Sequence, residues 1–168
     1  MKRNAEWLWI PVLLCVFTIT GAVAVVAEDD VGDESRPAEC YYRDAYSAYT
    51  SKDYDTALNH VDLAERAGYR IEDTMYLRAS IYMQMGRLDT AISEVSKLIA
   101  LKPDHTDSYI LRADAYSRAK NYQDSLKDLE SYRTMAHFPD RYLANQGYVH
   151  EMLEQPDRAI ACYRQILE

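Results

Sequence analysis

The stretch "LRASIY", residues 77–82, is nearly repeated as "LRADAY", residues 111–116. The alanine in the middle of each stretch belongs to a column of small residues with a step of 34. That column contains Ala45, Ala79, Ala113 and Gly147. A second column has the same step and contains Ala57, Ala91, Ser125 and Ala159. A fixed period of this length is typical of a protein assembled from stacked repeats.

One period, residues 72–103, predicts two helices with a tight turn between them. Apolar side chains recur at steps of three and four residues on both sides of Gly86, which is the spacing of one helical face. Pro103 closes the period, because a proline cannot continue a helix. The small residue on each helix marks the point where the partner helix comes closest. Gly147 in mid-helix is explained in the same way, since glycine there otherwise costs about 1 kcal/mol relative to alanine.

This pattern resembles the tetratricopeptide repeat family, whose unit has 34 residues with small residues at positions eight and twenty. Within the second unit the matching residues are Ala79, Tyr82, Gly86, Ala91 and Pro103. Some positions depart from the family: Ala48 and His150 replace a tyrosine, and Ser125 replaces an alanine. The resemblance covers residues 38–168 as four units, about 38–71, 72–105, 106–139 and 140–168. It implies an all-α fold, a right-handed superhelical solenoid of antiparallel helix pairs.

The first 27 residues are predicted to be a hydrophobic export or anchor segment. Lys2 and Arg3 precede 21 uncharged residues, from Trp7 to Ala27, and an acidic "EDD" follows. That length spans a hydrocarbon core of about 30 Å as a helix, but a basic start and a small-residue end also describe a cleaved signal peptide. Both interpretations place the repeats outside the cytoplasm, as a periplasmic or secreted protein or as a membrane-anchored one. Residues 28–37, "EDDVGDESRP", are predicted to be an acidic flexible linker.

The charge and the cysteines restrict the choice of partners. The chain carries a net charge of −8 and no basic stripe, which argues against nucleic acid. Cys40 and Cys162 lie in the first and fourth units, too far apart for an intramolecular disulfide. Both are interpreted as small packed thiols, with intermolecular pairing through Cys40 as the alternative.

No enzymatic constellation appears in the sequence. The four histidines have no metal-ligand spacing, and His150 occupies a packing position of the repeat. The chain contains no phosphate-binding glycine loop and no nucleophile motif. The many carboxylates are interpreted as the solvated face of the helices. We therefore expect a protein without enzymatic activity, cofactor or metal.

The resemblance implies a concave groove lined by the first helix of each unit. The residues at groove positions that we expect to contact a partner are Tyr42, Tyr46, Tyr49, Asp73, Tyr76, Met83, Asp107, Asp114 and Arg118. The family's carboxylate clamp needs lysine and asparagine where Tyr42 and Tyr46 stand, so binding of chaperone tails is not expected. Tyrosines and an acidic rim favour protein segments that carry apolar, aromatic or basic side chains. The main hypothesis is therefore a non-catalytic protein-interaction scaffold.

The alternative is a structural subunit that self-associates. The last helix has no polar cap helix after it in the sequence, and it presents Ile160, Tyr163, Ile166 and Leu167. Exposed apolar ends of repeat arrays promote stacking between copies. A homo-oligomer therefore remains open.

Overall fold

The computed structural model describes residues 36–135 and 139–167, so the export segment and the linker up to residue 35 lie outside the described residues. Each α-helix is 11 to 14 residues long, as the periodicity predicts. In chain order they are α1 (Ala38–Thr50), α2 (Tyr54–Arg66), α3 (Ile71–Gln84), α4 (Leu88–Leu101), α5 (Thr106–Arg118), α6 (Tyr122–Met135), α7 (Pro139–Met152) and α8 (Pro156–Ile166). No helix among the described residues is long and apolar enough to cross a membrane.

The helices form four pairs, and the turn inside each pair has the same backbone geometry. In every pair, the second residue after the end of the first helix has a left-handed backbone conformation. These residues are Lys52, Gly86, Lys120 and Glu154, with φ of 63°, 73°, 62° and 56°. The next amide N–H donates to the carbonyl five residues earlier, at 2.8 to 2.9 Å. This closure satisfies a carbonyl that the helix end leaves unpaired, and it recurs every 34 residues.

The pairs stack in a row. Each helix packs on its neighbours in the chain, and the first helices of successive pairs, α1, α3, α5 and α7, also contact one another. Across the described residues the second helices make no such contact with one another. The first helices are therefore closer together and form the inner side of the row. This arrangement confirms the predicted all-α solenoid of helix pairs.

Both columns of small residues lie inside the helix pairs. All eight residues are buried, and the seven with side chains are at most 2% exposed: Ala45, Ala57, Ala79, Ala91, Ala113, Ser125 and Ala159. The serine that replaces an alanine donates its hydroxyl to the carbonyl of Ala113 at 2.8 Å, so its polar atom is satisfied. At Gly147 an added Cβ would lie 2.4 Å from Cε1 of Tyr163. The close approach expected at this glycine is confirmed.

Two arginines fasten neighbouring helices through buried carboxylates. Arg112 on α5 donates two hydrogen bonds to Asp128 on α6, both 2.7 Å, and a third to Ser96 on α4 at 3.0 Å. Arg78 on α3 donates one hydrogen bond to Glu94 on α4 at 3.0 Å and also pairs with Asp62 and Glu65 on α2. Glu94 and Asp128 are 8% and 5% exposed. The expectation of a solvated face is therefore wrong for these two carboxylates, because each lies opposite an arginine on the partner helix.

The cysteines and His150 lie where the sequence places them. Cys40 and Cys162 are free thiols, the first partly exposed and the second buried. His150 is 7% exposed, and its Nδ1 lies 3.0 Å from Oε1 of Gln155. His150 and Cys162 therefore serve packing, and intermolecular pairing through Cys40 stays a prediction.

A tyrosine-lined cleft on the inner helices

A cleft of about 340 Å³ lies on the inner side, among α1, α3 and α5. Its lining residues are Tyr42, Tyr46, Tyr49, Tyr76, Leu77, Ser80, Met83, Gln84, Leu111, Asp114 and Arg141. Six of them belong to the nine residues predicted to contact a partner: Tyr42, Tyr46, Tyr49, Tyr76, Met83 and Asp114. They meet because steps of three or four residues keep side chains on one helical face. Stacking then aligns the faces of successive first helices.

The tyrosines on α1 form the most open wall of the cleft. The Tyr46 side chain is 54% exposed. Its ring centroid lies 6.2 Å from that of Tyr49, and the two rings are inclined by 50°. Tyr42 is held differently, since its ring stacks on Tyr69 at 4.5 Å. The wall therefore combines one aromatic ring that is fixed by stacking with one whose face is open to solvent.

The floor of the cleft is apolar and buried. Leu77 and Met83 are each 3% exposed, and Met83 packs in one core cluster with Ala91 and Ala115. Met83 thus supports the cleft from below. A bound segment would reach only a small part of its surface.

Two ion pairs border the inner surface. Arg141 on α7 reaches to Asp107 on α5, with 3.2 Å between Nη1 and Oδ1 and both side chains 58% exposed. Arg118 pairs with Asp114 one helical turn away at 3.0 Å. Of the predicted charged residues, only Asp114 lines the cleft, and Asp107 and Arg118 act as its border. Exposed pairs of this kind contribute little to stability.

Asp73 lies in a separate depression of about 200 Å³. This depression is lined by charged and polar residues only: Arg70, Glu72, Asp73, Lys102, Asp104 and His105. Asp73 pairs there with Arg70 at 3.2 Å. The ring of His105 lies 5.8 Å from that of Tyr76, which makes the depression a neighbour of the cleft.

The surroundings of two cleft tyrosines favour their neutral form. Burial is the main cause that raises the pKa of Tyr76, the Asp107 carboxylate adds to it, and Arg141 opposes it. Burial likewise raises the pKa of Tyr42, with a smaller contribution from Asp73. Both hydroxyls therefore remain hydrogen-bond donors at neutral pH.

Leu77 and Leu111 were not predicted as lining residues. They share one repeat position, directly after that of Tyr42 and Tyr76, which the helical pattern assigns to the core. The signal that could have located them is the small side chain of Ser80 on the same helical face, which leaves the apolar floor open. Across residues 36–135 and 139–167, no three His, Cys, Asp or Glu side chains converge on a metal site.

Comparisons with known proteins agree on the architecture. A tetratricopeptide repeat family model matches residues 76–136. A thermophilic tetratricopeptide repeat protein of Thermus thermophilus superposes with a TM-score of 0.69 at 19% identity, covering 77% of this chain and 73% of that one. The MamA protein of Desulfovibrio magneticus RS-1 gives 0.70 at 13% identity, covering 80% and 76%.

A third structure, YrrB, is described as a tetratricopeptide repeat protein with an unusual peptide-binding site. It gives a TM-score of 0.65 at 15% identity, covering 77% of this chain and 67% of that one. At such identities the likeness concerns the fold alone. Among curated proteins no sequence matches this chain.

Proposed function

Since a tetratricopeptide repeat family model matches residues 76–136 and all four helix pairs share one turn geometry, we propose that this chain is a non-catalytic scaffold that binds a segment of a partner protein in the tyrosine-lined cleft. The family generally serves protein–protein interaction. The proposal also specifies where the segment binds, what kind of segment it is, and the compartment in which the protein works.

The observation that carries the proposal is the exposed aromatic surface over a buried apolar floor. Tyr46 leaves more than half of its side chain in solvent, while Leu77 and Met83 beneath the cleft are almost fully buried. Tyrosine is enriched where proteins bind one another, because its ring buries apolar area and its hydroxyl can still donate a hydrogen bond. The volume of the cleft, about 340 Å³, suits a few side chains of an extended segment.

The peptide-binding site described for YrrB supports the choice of a segment as the ligand. That description applies to YrrB, and we extend it to this chain as part of the proposal. The aromatic wall on α1 is this chain's own feature.

The exported location is also part of the proposal. It is supported by the 21 uncharged residues from Trp7 to Ala27 between a basic start and an acidic linker. The N-terminal residue of the protein isolated from its native cells tests it. A start at Val25 or Glu28 means that the protein is released, and Met1 in a membrane fraction means that it is tethered. Met1 in the cytosolic fraction contradicts export.

The experiment for the cleft compares two tyrosines at the same repeat position. Tyr46 lines the cleft, whereas Tyr148, 46% exposed on α7, does not. Tyr46→Ser should weaken capture of the native partner by about tenfold, as expected when a contacting aromatic side chain is removed. Tyr148→Ser should leave capture unchanged. Equal loss in both variants, or in neither, contradicts the proposed site, and circular dichroism confirms that both variants are folded.

Self-association remains a second candidate because α8 exposes apolar side chains. Ile160 is 52% and Leu167 is 87% exposed. The ring of Tyr163 packs over Gly147 and is only partly exposed, so it offers less of its surface for this contact. Sedimentation at several concentrations tests the candidate: a shift in mass that Ile160→Ser abolishes supports it, and a constant monomer contradicts it.

A further inference from the structure

We infer that the cleft binds an uncharged stretch of the partner segment, whose apolar side chain enters beside the tyrosine rings and whose backbone pairs with the side-chain amide of Gln84. This inference rests on the proposed function and specifies the chemistry of the ligand. Three features carry it: the charges of the cleft are already paired, its open surfaces are apolar, and Gln84 keeps an uncharged hydrogen-bonding group available.

The two charged residues that line the cleft, Asp114 and Arg141, cancel each other and are already paired within the chain. The Asp114 carboxylate accepts two hydrogen bonds from Arg118, at 3.1 Å from Nε and 3.0 Å from Nη2. Arg141 donates to Asp107 at 3.2 Å and also to the hydroxyl of Tyr76. A charged side chain of a ligand therefore meets no net opposite charge in the cleft, and it would lose hydration on entering.

The open surfaces of the cleft are apolar and come from separate helices. On α1 the rings of Tyr46 and Tyr49 lie 6.2 Å apart between centroids, and α5 contributes Leu111. Tyr46 is 54% exposed, and Leu111 is partly exposed, so both are accessible to a ligand. An apolar side chain that enters here removes its own surface and these surfaces from water together.

Gln84 supplies the polar contact that a peptide backbone needs. Its side chain lines the cleft and is exposed, and it makes no hydrogen bond within the described part of the chain. The hydroxyl of Ser80, by contrast, is used inside α3, where it donates to the carbonyl of Tyr76 at 2.9 Å. A carboxamide has both donors and an acceptor, so it can serve the N–H and the C=O that each residue of an extended segment presents.

The probe is a library of nine-residue peptides, blocked at both ends and random at the five central positions, applied to the purified full-length chain. Apolar residues should be enriched at one position among the bound peptides, and charged residues of either sign should be depleted there. Alanine at that position should raise Kd by about tenfold. Because no ion pair forms, Kd should change by less than about twofold between roughly 50 and 500 mM salt.

The backbone contact is tested with two matched glutamine variants. Gln84→Met keeps the length of the side chain and removes its hydrogen-bonding groups, so it should raise Kd several-fold. Gln123→Met, at an exposed glutamine on α6 that does not line the cleft, should leave Kd unchanged. Circular dichroism of both variants excludes a loss of fold.

A change in the peptide completes the test. N-methylation of each backbone amide next to the apolar residue, one at a time, removes a single N–H. One of these changes should weaken binding to the wild type and have little further effect on Gln84→Met, because the two changes remove the same contact. Equal weakening in both proteins at every site overturns the pairing with Gln84.

The outcomes separate this inference from the proposed function. Peptides that bind at the cleft with a charged residue enriched, or that bind Gln84→Met as tightly as the wild type, overturn the inference and leave the proposed function standing. A library that yields no binder, or binders that Tyr46→Ser does not weaken, contradicts both. Apolar enrichment with a loss upon Gln84→Met supports both.

Discussion

The ring of Tyr163 fills the space in which the other helix pairs hold an alanine methyl at the position of Gly147. A Cβ on Gly147 would lie 2.4 Å from Cε1 and 2.7 Å from Cζ of that ring. In the other three pairs the two positions hold an alanine with a smaller aliphatic side chain, as in Ala79 and Val95, or Ala113 and Leu129. Small and large residues thus compensate each other, and the fourth unit keeps the fold with a different division of volume.

This compensation predicts that Gly147→Ala changes the free energy of unfolding with opposite signs in two backgrounds. Gly147→Ala alone should lower the free energy of unfolding by about 1 kcal/mol, because an overpacking cost of about 1–3 kcal/mol outweighs the helical gain. In a Tyr163→Leu background the same substitution should raise it by about 1 kcal/mol, since only the helical preference remains. Urea unfolding of the four proteins measures both steps. A substitution effect that is equal in the two backgrounds would show that the two residues do not compete for space.

The left-handed conformation in each turn predicts that a glycine at that position increases stability. Lys120 has a φ of 62° where the second turn has Gly86 at 73°. A residue with a Cβ loses roughly 1–2 kcal/mol in this conformation, so Lys120→Gly should raise the free energy of unfolding by about 0.5–1 kcal/mol. Thermal unfolding gives the measurement.

Two substitutions serve as controls, one in the turn that contains Lys120 and one in the turn that contains Gly86. Ala119→Gly, one residue earlier with a φ of −76°, should lower stability, because glycine there only adds freedom to the unfolded chain. Gly86→Ala should also lower it. Stabilisation by both glycine substitutions would point to a general effect of removing side chains from the turn.

The Arg112–Asp128 pair predicts a strong coupling between α5 and α6. Their side chains are 18% and 7% exposed, so removal of one partner leaves a charge with poor solvation. Arg112→Leu or Asp128→Leu should each cost about 3 kcal/mol, and the double variant should cost less than the sum. Denaturant unfolding of the cycle measures the coupling. The exposed pair of Arg133 and Glu130 is the control, where Glu130→Gln should cause no measurable change.

The raised pKa values of Tyr42 and Tyr76 predict a loss of stability at alkaline pH. Burial raises both values above the ordinary 10.0, so the folded state retains these protons when the unfolded state has begun to lose them. The stabilisation is complete below pH 10 and is lost as the pH rises through the folded values. Urea unfolding between pH 8 and pH 11 should show this decline, and Tyr76→Phe should reduce it. An identical decline in the variant would exclude Tyr76 as a source.

Most of the fold follows from the sequence because the small residues report helix contacts directly. The two columns of the 34-residue period place each closest approach, and the structure buries all of them. The arginine pairs could not be predicted in this way. Arg112 and Asp128 are 16 residues apart on different helices, and only the packing of those helices decides that one polar side chain faces the other instead of solvent.

The candidate site was predicted in part, for a related reason. A helical face identifies side chains that point inward, such as Tyr46 and Asp114. It does not reveal depth, so Met83 looks like a contact residue in the sequence and forms the floor in the structure. The contribution of Arg141 depends on the packing of α7 against α5, where Arg141 pairs with Asp107, and no single repeat encodes that packing. Contact of these residues with a partner stays a prediction.

The fourth unit lacks the arginine ion pair of the second and third units, and this difference predicts which helix pair unfolds locally first. Where Arg78 and Arg112 stand, the fourth unit has Gln146, which faces Cys162 at 3.5 Å. The last helix pair can therefore separate without stranding a charge in the interior. Local fraying should begin at α7 and α8, with faster amide hydrogen exchange there than in α3 to α6, so that the fourth unit opens before the two units that contain the arginine.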